Sequence, residues 1–193
     1  MSFLNIKYNA PVVLTFSLIS TIVLFLNQFL GGSLNQFFSV GPSFQPNSFF
    51  FYTSLFTHVI GHANLEHLLG NLTFILLLGP IVEEKYGSRN TFYMFLITAL
   101  ITGLLNVFFF STGLMGASGI VFMLILLASF TNNSRGGIPL TFLLIAILFI
   151  GKELFQSIQQ DNISQFAHII GGILGSVFGF SGVFGKKKPR EEY

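Results

Sequence analysis

Long apolar runs separated by short polar breaks dominate the chain. Six stretches approach the roughly 20 residues that a membrane-crossing helix needs. They are Pro11–Leu30, Leu65–Val82, Asn90–Phe110, Gly116–Phe130, Ile138–Gly151 and Ser164–Phe184. The fourth and fifth are short, and the fifth is expected to run on past Lys152, whose ammonium can reach the interface on its aliphatic stem. The first lacks a small-residue cleavage site and reads as a retained span rather than a signal peptide. The pattern predicts an all-α, polytopic, six-span bundle. It forms a single integral membrane domain over 1–193, with a core at about 11–184 and a basic tail at 185–193.

Composition excludes the main alternatives. The chain is 52% apolar and 8% charged, whereas a soluble domain carries roughly 25% charged residues. Net charge is +2, and four of the nine basic residues fall in the last eight positions, so nucleic acid is not an expected partner. There is no cysteine, hence no disulfide, thiol nucleophile or thiolate metal site. With six spans and an inner N-terminus, the inner segments hold Lys7, Lys85, Arg89, Arg135, Lys186, Lys187, Lys188 and Arg190, and the outer ones only Lys152. That bias places both termini in the cytoplasm. The tail KKKPREEY reads as a stop-transfer anchor, with contact to anionic lipid as an alternative. Residues 31–64 contain no Lys or Arg but eight aromatic residues, among them Phe37, Phe44, Phe50 and Phe51. A loop this aromatic is expected to lie half-buried at the membrane surface rather than to act as a flexible linker.

Strongly polar residues within spans are functional suspects. Here they are Glu66, His67 and Asn71 on the second span, Asn106 on the third, Ser118 on the fourth and His168 on the sixth. Spans two, four and six run in the same direction, and His67, Ser118 and His168 all fall within roughly 10 Å of their outer ends. Three helices thus offer polar groups at one depth. His67 and Asn71, spaced i,i+4, share a helix face. They can aim two donors at a developing oxyanion, or they can glue neighbouring helices together. Ser118 sits between Gly116 and Gly119, where glycines leave room for a substrate backbone or for close packing. Ala167, Gly171, Gly175 and Gly179 form a small-residue ridge after His168. That ridge allows the fourth span to pack closely, bringing His168 within reach of Ser118 as a general base. The alternative is a histidine bonded to a loop carbonyl. The nearest acid, Asp161, lies in a loop, so a Ser–His pair is favoured over a triad. Phe122, one turn beyond Ser118, can stack on the imidazole. His58 and His62 lack H-E-x-x-H spacing; they are read as bracing the first loop, and neither a metal nor a cofactor is expected.

HVIGHANLEHLLGN, GASG and AHIIGGILG, in this order, resemble the signatures of rhomboid intramembrane serine proteases over roughly residues 50–180. The resemblance implies a six-helix bundle and peptide-bond hydrolysis within the membrane by Ser118 as nucleophile and His168 as base. His67 and Asn71 would line the oxyanion hole with the Ser118 N–H, beside Gly116 and Gly119. His62, Phe122, Gly171 and Gly175 would support the site. It also implies a transmembrane protein as substrate, span five as a lateral gate and a bacterial inner membrane as the location. GPIVEEKYGS matches the end of span two, where Gly87 suits a helix C-cap. Three departures stand out: the first-loop Trp–Arg pair is absent, Phe122 replaces a common Tyr, and Met115 replaces a common Gly. The intact Ser–His pair argues against the inactive branches. The rival readings are a rhomboid-like protein that binds transmembrane clients without cutting them, and a small transporter. A transporter should carry polar residues through the whole depth of the bundle.

Overall fold

A computed structural model describes residues 6–110, 112–131, 137–158 and 165–185, without the side chains of residues 149, 150 and 152–158. Arg135, Asp161, the Lys152 side chain and the tail beyond residue 185 lie outside the described residues. The described chain forms eight helices: α1 (Pro11–Phe29), α2 (Asn35–Phe38), α3 (Phe49–Thr57), α4 (Leu65–Tyr86), α5 (Ser88–Phe109), α6 (Ser118–Ala128), α7 (Leu140–Ile158) and α8 (Gln165–Ser181). The only extended pairing among the described residues is an isolated antiparallel bridge, Val40 to Leu114. The protein is therefore all-α. By length and composition α1, α4 and α5 can each cross a membrane, while α6 and α8 are shorter apolar helices. Large apolar side chains such as Ile22, Leu77, Phe108 and Ile173 are exposed, as the faces of a lipid-embedded bundle should be.

Backbone chemistry at the helix ends sets the layout. Pro11 opens α1, and no local side chain caps that helix. The buried carboxylate of Glu83, on α4, instead accepts the Val12 and Val13 N–H groups, each at 3.0 Å. An acceptor 70 residues away thus satisfies two of the helix's orphan donors. Beside it, Gly79 lets α1 approach α4 closely: a Cβ there would lie 2.6 Å from the Val13 Cγ2. Pro80 does not stop α4, which runs four residues beyond the expected Val82. It ends at Gly87, whose φ of +83° only glycine adopts readily and whose N–H donates to the Glu83 carbonyl at 2.8 Å. Because α5 starts at the next residue, α4 and α5 meet in a one-residue turn.

The core lies where α4, α5 and α6 converge, around Leu68, Ile75, Met94, Ile120, Met123 and Leu124. A small polar seam, Thr91, Thr98, Thr102 and Asn106, runs buried along α5. Thr91 and Thr102 turn their hydroxyls back on the backbone one turn earlier, donating to the Gly87 and Thr98 carbonyls at 3.0 and 2.7 Å, whereas the buried Thr98 hydroxyl has no partner among the described residues. Asn106 donates through Nδ2 to the Thr112 carbonyl at 2.8 Å and so ties down the α5–α6 connection. The expected start of the fourth span at Gly116 is corrected to Ser118, because Gly116 takes φ +123°, which a helix cannot contain.

The first connection is structured. Ser48 caps α3, accepting the Phe51 N–H at 3.3 Å. Phe37 packs edge-on against Phe50 at 4.7 Å, and Phe44 against Phe51 at 5.2 Å. The end of α3 docks on α5 at Gly103, where a Cβ would lie 3.2 Å from the Leu55 carbonyl oxygen and 3.3 Å from the His58 ring. The aromatic residues thus fold the loop onto the bundle, and Phe49 and Phe44 remain exposed on its outer side.

Candidate active site

Three helix N-termini meet at one end of the bundle. Asn64 caps α4 by accepting the His67 N–H at 2.8 Å, which puts His67 on the first turn and Asn71 on the second. Both side chains converge on Gly116. A Cβ there would lie 2.7 Å from His67 Nε2 and 3.7 Å from Asn71 Nδ2. Glycine at this position is therefore required twice, by its φ and by its two polar neighbours. Ser118, the first residue of α6, has its backbone N–H among the four amides that a helix start leaves without an intrahelical partner.

α6 and α8 form the closest helix pair of the bundle. A Cβ on Gly171 would overlap the Gly119 carbonyl, and one on Gly175 would overlap the Met123 carbonyl. Gly119 itself lies 3.5 Å, measured from its would-be Cβ, from the Ala167 carbonyl oxygen. The ridge on α8 therefore runs along α6 in register, so the turn holding His168 lies beside the turn holding Ser118. Phe122 packs on the His168 ring with centroids 4.3 Å apart and planes inclined by 36°. That contact limits rotation of the imidazole.

The two histidines of the preceding segment do different things. His58 is fully buried; its Nδ1–H donates to the Ser54 carbonyl at 3.0 Å, and Nε2 faces Thr102 Oγ1 at 3.4 Å. Its own carbonyl accepts the Gly116 N–H at 2.9 Å. One residue thus links α3, α5 and the turn before Ser118. His62 donates through Nδ1 to the Ile60 carbonyl at 3.1 Å and packs edge-on against His67, centroids 5.1 Å apart. Burial pushes the pKa of His58 down to about 4. Burial and then the nearby His67 do the same to His62, also to about 4. Both are neutral at pH 7.

Two buried polar atoms here have no partner, the His62 Nε2 acceptor and the Asn71 Nδ2 donor. Unpaired buried groups are costly; a water would satisfy both, and a substrate carbonyl oxygen would satisfy the Asn71 donor. Met115 packs against Gly61, its Cγ 3.2 Å from where a Cβ would stand. The sequence reading did not find the Gly116–His58 bond or the Val40–Leu114 bridge, because both join segments more than 50 residues apart through backbone groups.

The fold and the site describe a polytopic helical membrane protein with a polar cluster among helix starts. Residues 50–183 match the family model of the rhomboid domain. The chain belongs to the rhomboid family, a family of integral membrane proteins. It is similar to the rhomboid protease GlpG of Haemophilus influenzae, 23% identical over 127 residues, which cover 64% of this chain and 66% of that protein. The match spans just under two thirds of that relative's length.

Proposed function

We propose that the protein is an intramembrane serine endopeptidase acting through a Ser118–His168 dyad. Its substrates are proteins with transmembrane segments, cut in or near those segments. The observation that carries this reading is the convergence of His67 and Asn71 on Gly116, two residues before Ser118, with the Asn71 amide left unpaired. A buried donor with nothing to bond is what an oxyanion site needs before substrate arrives.

In this mechanism His168 takes the Ser118 proton as Oγ attacks the scissile carbonyl carbon. The carbonyl oxygen becomes an oxyanion held by the Ser118 N–H, the His67 ring and Asn71 Nδ2. His168 then gives its proton to the leaving amine, the C–N bond breaks and an acyl-enzyme remains. Water, deprotonated by His168, attacks the ester and restores the hydroxyl. Phe122 keeps the imidazole facing the serine throughout. The chemistry calls on no metal or cofactor. Peptide hydrolysis needs water, and a site at the helix starts can open to the aqueous face while the apolar core seals it below.

The same reading takes α1, α4, α5, α6, α7 and α8 as six spans of one domain, with α7 as the lateral gate. The basic bias puts both termini in the cytoplasm, and the bacterial relative favours the inner membrane. Purified protein in liposomes should cleave a single-span reporter, and Ser118→Ala and His168→Ala should each abolish cleavage. Undiminished cleavage by Ser118→Ala would sink the proposal and leave the client-binding reading in its place.

A further inference from the structure

A groove of about 400 Å³ lies between α1 and α5. Val12, Phe16 and Ile19 on α1 and Phe92, Phe95 and Ala99 on α5 form its walls, and its lining is almost wholly apolar. It begins at Pro11 and Ser88, the starts of the two helices. Phe56 and Ile60, from the end of α3 and the turn after it, also line it. They close it near the level of Gly103, where α3 docks on α5.

The depth of the groove identifies its occupant. From Ser88 to Ala99 it follows α5 for about 16 Å at 1.5 Å per residue, half of the roughly 30 Å hydrocarbon core. A transmembrane helix needs the full depth and a channel about 10 Å wide. An acyl chain from one leaflet needs half the depth and a narrow slot. The open end carries the charge that a phosphate would seek. Arg89 follows the groove residue Ser88 and Lys7 stands four residues before Pro11; both are exposed, Arg89 lying over the Tyr93 ring at 5.7 Å. Tyr8, next to Lys7, shares a hydrogen bond of 2.9 Å with Thr15, a groove residue. The acids nearby are Glu83, bonded to the α1 amides, and Glu84; against them stand Lys7, Lys85 and Arg89, so this end of the helices carries a net charge of +1.

We propose that this groove is a binding site for one anionic glycerophospholipid, its acyl chain between α1 and α5 and its phosphate at the Lys7–Arg89 rim. The lipid would wedge the first helix against the bundle. The inference does not depend on the proposed protease activity.

The test is native mass spectrometry of the full chain in detergent, titrated with dioleoyl phosphatidylglycerol or dioleoyl phosphatidylcholine. One phosphatidylglycerol should be retained in preference to phosphatidylcholine. Thr15→Phe and Ile19→Trp, at exposed positions on the groove wall, should each remove that retention while thermal unfolding in detergent shows an intact fold. Arg89→Gln should weaken the headgroup preference by roughly fivefold, the effect of one basic residue at an anionic surface. Equal retention of both lipids, or unchanged retention in both groove variants, overturns the proposal. So does a preference that survives Arg89→Gln but vanishes when Lys186, Lys187 and Lys188 become Gln. A benzophenone at position 19 should crosslink to lipid; an adduct of protein mass would assign the groove to a helix or a second copy instead.

Discussion

Gly171→Ala is a one-carbon perturbation of the helix contact on which the site rests. The added Cβ would overlap the Gly119 carbonyl, and both atoms belong to backbone in the middle of packed helices. Neither can swing away as a flexible side chain would, so α8 must move off α6. Relieving the overlap takes about 1 Å of separation, a misplacement that can cost 10²-fold in rate. Overpacking of this kind costs about 1–3 kcal/mol of stability. His168 lies on the turn before Gly171, and Ser118 on the turn holding Gly119, so the displacement falls directly between them. Cleavage of a single-span reporter should drop by about two orders of magnitude, with a modest fall in melting temperature in detergent. Gly179→Ala supplies the control, since its Cβ meets the Phe130 side chain rather than a backbone carbonyl, more than two turns from the site. It should retain most activity. If Gly171→Ala cleaves and melts like wild type, α6 and α8 do not pack this closely at Gly119 and Gly171.

Three other outcomes follow from particular contacts. Glu83→Ala leaves the Val12 and Val13 amides without their acceptor; two charge-assisted bonds at about 1.5–3 kcal/mol each should make it among the most damaging substitutions in a thermal-melt series. Asn71→Ala should cut kcat by about 10²-fold yet leave stability unchanged or raised, because it deletes a buried donor with no partner; a large stability loss would mean the amide is structural. His58 and His62, held near 4 in the folded protein, are ordinary histidines near 6.5 when unfolded. Above pH 6.5 both states are neutral and nothing is lost. As pH falls toward 4 the unfolded state binds protons first, so stability declines, by about 3 kcal/mol for the fully buried His58. A His58→Gln/His62→Gln variant should show a flatter profile over that window.

Much of this was legible from residue types at fixed spacing. The ridge of Ala167, Gly171 and Gly175 foretold a close helix partner, and Gly116 and Gly119 suggested which helix it would be. Gly87 announced a helix end, and the spacing of Ser118 and Phe122 foretold which residues share a face. The Phe-rich first connection read as membrane-associated, but its two short helices escaped notice because their apolar residues follow no clean period. Glu83 was visible as an acid in a family motif. Its role as the cap of α1 was not, since a cap usually comes from the same turn and this one comes from 70 residues away. A carboxylate buried in an apolar helix, together with a first helix lacking any capping side chain, was the available signal. Helix count is the coarser outcome: α1, α4 and α5 have the length to span, and α6 is short because the Gly116 turn delays its start.

The central claim is that the hydroxyl opening α6 is activated by the imidazole on the adjacent α8. Labelling by a fluorophosphonate, read by peptide mass spectrometry on protein in detergent, tests it without any knowledge of the natural substrate. The account predicts a single adduct on Ser118 in the wild type and none in His168→Ala. An unlabelled Ser118 in folded wild-type protein, or equal labelling in His168→Ala, would contradict it.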